Sequence, residues 1–297
     1  QELNVKYTYT DYKDVMANPE IDAVVVVTPT KLHKEIVVAA ANAHKNVFCE
    51  KPFTTDPAKA KTLADMFAQK GLVNQVGYVY RFDPVFGKVK SLLEKGVIGE
   101  LCHVGAQFLS ATITKAAPEK GWRSKRENGG GAVFEMGSHV FDILEFFLGE
   151  PVKLTGSHLG KVYSENVEDI CDANIDYSGE VHADIHVNWS DYTYRKPMLK
   201  FDFHGTKGKI QADLYGYKIF LREADPQNGL EQGWTSVPMN LIPDPTPFYV
   251  RGTSFTNQLY DFADAILGVK ATRGCSFAQA AHTQEVIHNI FENDNNA

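Results

Sequence analysis

The chain has few cysteines and no long apolar run, and each shortage excludes a class of protein. Its 297 residues include four cysteines, widely spaced and without a CxxC pair, which argues against a disulfide scaffold and against a structural zinc site. We therefore expect no metal centre, and free thiols in a reducing cytoplasm. No apolar stretch approaches the roughly 20 residues of a membrane helix, so we expect no membrane contact.

The charge balance is acidic and contains no basic block. Lysine and arginine total 30 against 37 aspartates and glutamates, a net charge of −7, so nucleic acid is not an expected partner. Hydrophobic residues make up 43% of the chain, enough to build a sizeable core. A chain of this length accommodates two ordinary domains.

The first third of the chain alternates strand and helix patterns. Residues 23–27 (AVVVV) are a β-branched run typical of a strand covered on both faces. Strand patterns recur at residues 46–49 and 72–79, and helix patterns cover residues 32–43, 57–70 and 84–95. This alternation predicts βαβ units and a parallel sheet. Ligands of such sheets bind at the carboxyl ends of the strands, which here are Thr28 and Glu50.

From residue 99 onward, strand patterns follow one another. They cover residues 101–109, 152–163, 170–177, 181–189, 199–205 and 209–220, and they predict a mostly antiparallel sheet. Helices are predicted at residues 132–148, 255–267 and 277–291. We therefore predict an α/β domain over residues 1–98, an α+β domain over residues 99–297 and a cleft between them. The C-terminal helices are candidates to pack back on the first domain.

Lys51 directly follows the predicted strand 46–49 and lies between Glu50 and Pro52. The proline fixes the backbone there and keeps the lysine from reaching freely into solvent. Partial desolvation makes a lysine a usable proton donor or acceptor. The alternative, favoured if this residue is taken alone, is a surface lysine in a βα turn.

The predicted helix 132–148 is apolar nearly all round, and such a helix is buried. Its polar exceptions, Glu135, His139 and Asp142, are spaced four and three residues apart and share one stripe. Glu135 could fix the tautomer of the imidazole, and His139 could then exchange a proton with a substrate hydroxyl. Asp142 could instead only tie the helix to a neighbouring strand, and the whole stripe could be a solvated face.

Two other groups of residues do not form a catalytic or metal site. Ser138 and His139 are neighbours on a helix, where side chains point about 100° apart, and no GxSxG elbow occurs. His182 and His186 share one face of a predicted strand, which favours a plain sheet face over a metal site.

Together these features resemble the Gfo/Idh/MocA family of NAD(P)-dependent sugar and polyol oxidoreductases, over essentially the whole chain. The matching segments are residues 21–23, 28–33, 50–52, 77–84, 96–99, 122–123, 129–142 and 255–268. The resemblance implies a Rossmann-type parallel-sheet domain followed by a mostly antiparallel open-sheet domain.

The resemblance also implies roles for individual residues. It puts the family's catalytic lysine at Lys51 and its acid–His pair at Glu135 and His139, although the acid is more usually aspartate. The residues implied to border NAD or NADP are Thr28, Pro29, Thr30, His33, Glu50 and Lys51. The residues implied to lie near the nicotinamide and substrate are Tyr78, Arg81, Trp122 and Arg123, with Asp142 a further candidate substrate contact.

The family's opening GxGxxG turn, which holds the pyrophosphate at a helix N-terminus, has no counterpart in this sequence. Two βα units, roughly 60 residues, come before the matching part in the family. We expect a truncated chain rather than a defective variant, because the loss of central strands would leave sheet edges unpaired.

The function that this resemblance implies is hydride transfer between a nicotinamide cofactor and a secondary alcohol of a sugar, polyol or nucleotide sugar. His139, assisted by Lys51, would remove the hydroxyl proton. Two alternatives stay open: an NAD-dependent glycosidase of the same fold, and a non-catalytic regulator that binds a dinucleotide or sugar. The presence of both Lys51 and His139 argues against the regulator.

The second predicted domain also suggests self-association. The predicted strand 181–189 is expected to place apolar and aromatic groups where another subunit covers them. We therefore predict a homo-oligomer, a dimer or a tetramer packed through the C-terminal sheet.

Overall fold

Three parallel strands form the smaller of two sheets in the computed structural model, which describes residues 5–113, 121–242, 246 and 252–295. These strands are β1 (Ala23–Val26), β2 (Asn46–Cys49) and β3 (Asn74–Val76), adjacent in that order. A short helix, α1 (Tyr12–Ala17), precedes them, and α2 (His33–Asn42) and α3 (Pro57–Lys70) connect them. The prediction of a parallel sheet built from βαβ units is confirmed.

The prediction that the AVVVV strand is covered on both faces is wrong. Val24 and Val26 are buried, whereas Val25 is 53% and Val27 69% exposed. Val24 and Val26 belong to the core that the small sheet shares with α2, so this face of β1 is the covered one. Successive side chains of a strand point to opposite faces, so one set of valines stays in solvent.

The larger sheet has eight strands in the described part of the chain, in the order β11-β10-β9-β8-β4-β7-β6-β5. These strands are β4 (Leu101–Leu109), β5 (Pro151–Gly160), β6 (Ile170–Tyr177), β7 (Val181–Asn188), β8 (Met198–Gly205), β9 (Gly208–Asp213), β10 (Gly216–Leu221) and β11 (Gly233–Pro238). Only β4 and β7 pair in parallel among these strands, which confirms the mostly antiparallel prediction. The single strand predicted over 209–220 is in fact the hairpin β9–β10, and β11 was not predicted.

Helices cover the inner face of the larger sheet. They are α4 (Pro84–Glu94), α5 (Ser138–Leu148) and α7 (Phe277–Asn295), while α6 (Thr253–Ile266) contacts the segment that follows β3. The first turns of α7 contribute Phe277 to the core of the small sheet, and its later turns contribute Ile290 to the core of the large one. The division at residues 98 and 99 stays a prediction, because α4 precedes it yet packs in the larger core.

The described helices include none that is both long and apolar enough to cross a membrane. The same residues contain no group of three or more His, Cys, Asp and Glu side chains placed to hold a metal ion.

Candidate active site

A cleft lies at the carboxyl ends of β1 and β2, where the strand alternation predicted a ligand site. Its volume is about 450 Å³, within the range of small-molecule sites, and it is lined by Val27, Thr28, Pro29, Thr30, Lys31, Lys51, Pro52, Trp122 and Asn128. The Thr28 hydroxyl is buried and has no hydrogen-bond partner among the described residues. A buried polar atom of this kind is costly unless a ligand or water satisfies it.

His33 joins the two turns that border this cleft. Its Nε2 lies 2.8 Å from the Thr28 carbonyl oxygen, and its Nδ1 lies 3.1 Å from the Pro52 carbonyl oxygen. The side chain is 1% exposed. Both ring nitrogens face backbone carbonyl oxygens, so His33 shapes the wall of the cleft. That His33 borders a dinucleotide stays a prediction.

Glu50 and Lys51 follow β2 as predicted. Burial raises the pKa of the Glu50 carboxyl, although the backbone N–H of Lys51 and its charge act in the opposite direction. A side chain at Gly77 would come within 2.9 Å of this carboxylate, so the glycine leaves room for Glu50. The Lys51 ammonium donates to the Glu135 carbonyl oxygen at 3.0 Å and to Glu135 Oε2 at 3.3 Å.

Glu135 lies in a π-helical turn, Val133–Gly137, directly before α5. Such wide turns are rare and recur at functional sites. The Glu135 carboxylate accepts from Lys51 on one oxygen and from Arg123 on the other, at 3.1 Å. Burial opposes ionisation of this carboxyl, but the charges of Lys51 and Arg123 outweigh it and lower its pKa. The expected contact of Glu135 with the His139 imidazole is absent among the described contacts, because both oxygens are engaged elsewhere.

His139 lies one turn after Glu135 and is enclosed by aromatic rings. The ring of Tyr80 is 5.0 Å and that of Tyr78 is 5.7 Å from the imidazole, both edge-on. His139 Nδ1 is buried without a hydrogen-bond partner among the described residues. Burial, and then the positive charge of Lys51, lower the pKa of His139 well below its ordinary value, so the imidazole is neutral around pH 7.

Three residues implied to lie near the nicotinamide or substrate are buried. Arg81 and Asp142 are 2% and 1% exposed, and they form a pair with Arg81 Nη2 2.8 Å from Asp142 Oδ1. Arg81 also donates to Gln279 on α7. Tyr78 is fully buried. Asp142 thus ties its helix to neighbouring elements, which is the alternative that the helix pattern left open. That Tyr78, Arg81 and Asp142 lie near a bound substrate stays a prediction.

Trp122 and Arg123 lie at the entrance of the cleft. Both are partly exposed, and the Arg123 guanidinium stacks over the Trp122 ring at 4.6 Å. Glu168 was not singled out from the sequence, yet its buried carboxylate accepts from the backbone N–H of Val133 and holds the start of the π-helical turn. No short motif marks it, since it meets this helix from 35 residues away in sequence.

The favoured interpretation of His182 and His186 agrees with the structure. Their Nδ1 atoms lie 2.8 and 2.7 Å from carboxylate oxygens of Asp176 and Asp172 on the neighbouring strand β6. These are cross-strand pairs on the outer face of the sheet, away from the cleft.

The part of the chain with the small sheet and the part with the large sheet match two different family models. Residues 1–78 match the family model described as the oxidoreductase family, NAD-binding Rossmann fold, and residues 86–211 match the GFO/IDH/MocA C-terminal domain. The chain belongs to the Gfo/Idh/MocA oxidoreductase family. The resemblance derived from motif order is thereby confirmed for the family and for its fold.

Relatives in this family include characterised dehydrogenases. The chain is 27% identical over 216 residues to scyllo-inositol 2-dehydrogenase (NAD(+)) of Bacillus subtilis, a match that covers 71% of this chain and 60% of that protein. It is 30% identical over 142 residues to levoglucosan dehydrogenase of Pseudarthrobacter phenanthrenivorans, covering 48% of this chain and 36% of that protein. The first relatives in this comparison are matched over about 60% of their own length.

Solved structures of the family share the fold. Levoglucosan dehydrogenase in complex with NADH superposes with a TM-score of 0.86 at 22% identity, over 97% of this chain and 81% of that one. An oxidoreductase domain protein from Kribbella flavida superposes with a TM-score of 0.84 at 24% identity, over 97% and 82% of the two chains.

Proposed function

We propose that this Gfo/Idh/MocA chain transfers hydride between a nicotinamide cofactor, NAD or NADP, and a secondary alcohol of a sugar or polyol. One observation carries the proposal. The Lys51 ammonium lines the cleft at the end of β2 and is bonded to Glu135, one turn before His139, and its charge acts on the His139 imidazole. This supports an amine and an imidazole that act together at the cleft. The relatives described above are named as dehydrogenases of scyllo-inositol and of levoglucosan, which supports this substrate class.

The residues at the cleft fit a nicotinamide nucleotide. The unpartnered Thr28 hydroxyl and the turn 28–30 supply polar groups, and Pro29, Pro52 and Trp122 supply apolar walls. A nicotinamide nucleotide bound there would supply the chemistry of hydride transfer to or from the carbinol carbon. Glu50 and His33 contribute by fixing the two turns: Glu50 accepts from the backbone N–H of Lys51, and the His33 ring lies between the Thr28 and Pro52 carbonyl oxygens.

Proton transfer is the part of the reaction that side chains of this chain perform. His139 Nδ1 is enclosed, which leaves Nε2 to meet the substrate hydroxyl. A neutral imidazole accepts the hydroxyl proton directly, and the Lys51 ammonium stabilises the negative charge that develops on that oxygen. Glu135 acts on Lys51 in this scheme and not on the imidazole.

Replacing Lys51 by methionine in the native protein tests the proposal. Lys51→Met removes the ammonium but keeps the length of the side chain, so kcat falls by about 10²- to 10⁴-fold while the Kd for NADH stays nearly the same. Lys34→Met is the matched control, because Lys34 is an exposed lysine of α2 outside the cleft. Stopped assays on a panel of polyols and sugars, read as NADH absorbance, measure the rate.

Two results would contradict the proposal. One is full turnover by Lys51→Met, and the other is a native protein that reduces no nicotinamide cofactor with any member of the panel. Release of an aglycone without net NADH would point instead to the glycosidase alternative.

We also propose self-association through the outer face of the large sheet, which keeps the predicted homo-oligomer but not the apolar groups that were expected on strand 181–189. The apolar residues of β7, such as Ile185 and Val187, face the core, and its outward residues are polar. The expected apolar interface is therefore wrong, and the face that a second copy would cover carries His–Asp pairs. Light scattering tests this proposal, and a monomer at micromolar concentration would reject it.

The proposal for a reducing, cytoplasmic setting depends on the cysteines. All four are free, and Cys49, Cys171 and Cys275 are buried. Subcellular fractionation of cells that produce the native protein tests this setting, because it shows which compartment holds the protein.

A further inference from the structure

Glu135 differs from the other groups at the cleft because two of its oxygen atoms accept hydrogen bonds from the Lys51 ammonium. Its backbone carbonyl oxygen and its Oε2 both accept from the Lys51 ammonium, at 3.0 and 3.3 Å. The side chains of Lys51 and Glu135 are 17% and 18% exposed, so this pair is largely removed from water. A charge-assisted contact in such surroundings is stronger than one at the surface.

The second carboxylate oxygen of Glu135 accepts a hydrogen bond from Arg123. Arg123 Nη2 lies 3.1 Å from Oε1, and no other described side chain bonds this oxygen. The arginine is itself held on its other side, since its guanidinium stacks on Trp122 and its carbonyl oxygen accepts from the Gly131 N–H at 3.1 Å. Gly130 permits this approach, because a Cβ there would lie 2.3 Å from the Arg123 oxygen.

We infer that Arg123 is a positioning residue for the reaction: it fixes the Glu135 carboxylate, and Glu135 in turn fixes the Lys51 ammonium at the cleft. This inference rests on the proposed function for its meaning in catalysis. In this role Arg123 acts on Lys51 through Glu135, instead of contacting the substrate as the family resemblance implied. The extra methylene of glutamate, where the family more usually has aspartate, lets one carboxylate span the two cations.

The first test measures Lys51 directly and needs no turnover. Acetylation of the native protein by a small acetylating reagent, quantified by peptide mass spectrometry, reports how firmly Lys51 is held. We expect Arg123→Gln to accelerate acetylation of Lys51 about tenfold, the factor for one lost charge-assisted hydrogen bond, and Arg123→Lys to restore most of the protection. Lys125→Gln removes a charge from the same segment without touching Glu135 and should change nothing.

Lys45 serves as the internal reference for unfolding. It is 4% exposed and donates to the Asn18 and Ile21 carbonyl oxygens, far from Glu135 in the sequence. Acceleration at Lys51 alone supports the positioning role. Equal acceleration at Lys45, or none at Lys51, overturns it, because the first indicates general loosening and the second indicates that Arg123 does not hold Lys51.

The second test uses turnover and separates this inference from the proposed function. In Arg123→Gln the Glu135 carboxyl loses a neighbouring positive charge, so its pKa rises and the acidic limb of kcat/KM moves to higher pH. We expect kcat to fall about tenfold with little change in the substrate KM, and Lys125→Gln to match the native profile. A raised KM with unchanged kcat would indicate that Arg123 binds substrate, and it would contradict the positioning role. A native protein without turnover would refute the proposed function, while the acetylation result would still decide whether Arg123 holds Lys51.

Discussion

At the scale of single residues, the candidate site depends on side chains that bond to backbone atoms as much as on those that meet a ligand. His33 bridges carbonyl oxygens of two turns, and Lys51 donates to the carbonyl oxygen of Glu135. Each contact joins segments far apart in sequence. Buried carbonyl groups need such partners, since an unsatisfied one costs free energy.

Replacing His33 is therefore expected to affect both stability and the cleft. In His33→Ala the Thr28 and Pro52 carbonyl oxygens lose the imidazole that lies between them, and with it the hydrogen bond that a ring N–H donates, which lowers the free energy of unfolding by about 1–3 kcal/mol and weakens NADH binding. Urea unfolding and calorimetric titration with NADH measure the two effects. Lys34→Ala, the next residue of α2 and exposed, is the control; a His33→Ala protein as stable as this control would contradict the bridging role.

At the scale of elements, the π-helical turn that carries Glu135 depends on the segment before it. Gly131 has φ +101°, and a Cβ there would lie 2.2 Å from Glu168 Oε1. Glu168 accepts from the Val133 N–H at 3.0 Å, so the glycine allows a buried carboxylate to reach the start of this helix. An acid at a helix N-terminus is favourable for the exposed N–H groups there.

Gly131→Ala is expected to destabilise the protein more than Gly149→Ala. Gly149 also has a left-handed φ of +84°, but a Cβ there meets nothing within 4 Å. Its substitution therefore carries only backbone strain, about 1–3 kcal/mol, whereas Gly131→Ala adds the displacement of Glu168. Chemical denaturation of the two variants gives the difference, and equal midpoints would show that Glu168 moves aside freely.

The contact between α5 and α7 predicts a pH dependence of stability. His282 of α7 lies 2.9 Å from Glu145 of α5, and the hydrogen bond to Glu145, against some desolvation, raises the pKa of His282 above its ordinary value of 6.5. The folded protein thus holds this proton more tightly than the unfolded chain. The stabilisation is fully present below pH 6.5 and is lost as the pH rises through the raised pKa.

His282→Gln should remove this dependence. Between pH 6 and pH 8 the native protein should lose more of its unfolding free energy than the variant does, because the variant has no proton to lose there. Urea midpoints at the two pH values provide the measurement. Parallel losses in both proteins would exclude the His282–Glu145 pair as the cause; Glu150 and Glu285, the other acids near His282, remain in both.

At the scale of the whole molecule, a buried ion pair connects the two sheets. Arg81 follows the small sheet, Asp142 belongs to α5 over the large sheet, and Gln279 of α7 accepts from the same guanidinium. Three parts of the chain that are distant in sequence thus meet at one charged group. Burying both charges is tolerable only while they remain paired.

Asp142→Leu should therefore cost about 3–5 kcal/mol of unfolding free energy, because it leaves the Arg81 guanidinium buried without its counter-ion. The double variant Arg81→Met, Asp142→Leu removes both charges and should recover most of that loss. Denaturant unfolding of the two single variants and the double variant gives the coupling energy. A double variant no more stable than Asp142→Leu would show that the pair is not the connection.

The sequence by itself determined the order and type of most elements, with α1, β11 and the turn between β9 and β10 as exceptions, and it determined the residues at the ends of β1 and β2. The β-branched run before Thr28 and the apolar helix with Glu135 and His139 follow from periodicity, which reports the face a residue takes. The same logic failed at Val25 and at the outer face of β7, where it could not say which side of a strand is covered.

Only the tertiary structure decided which distant residues meet. Glu135 and His139 share a helix face, yet the carboxylate bonds to Lys51 and Arg123, because these cations reach it from other segments and outcompete the imidazole. Arg81 with Asp142, and Glu168 with the Val133 N–H, are likewise set by chain packing. Spacing along a sequence fixes local neighbours, whereas the pairing of charges is settled by which desolvated groups the folded chain brings within reach.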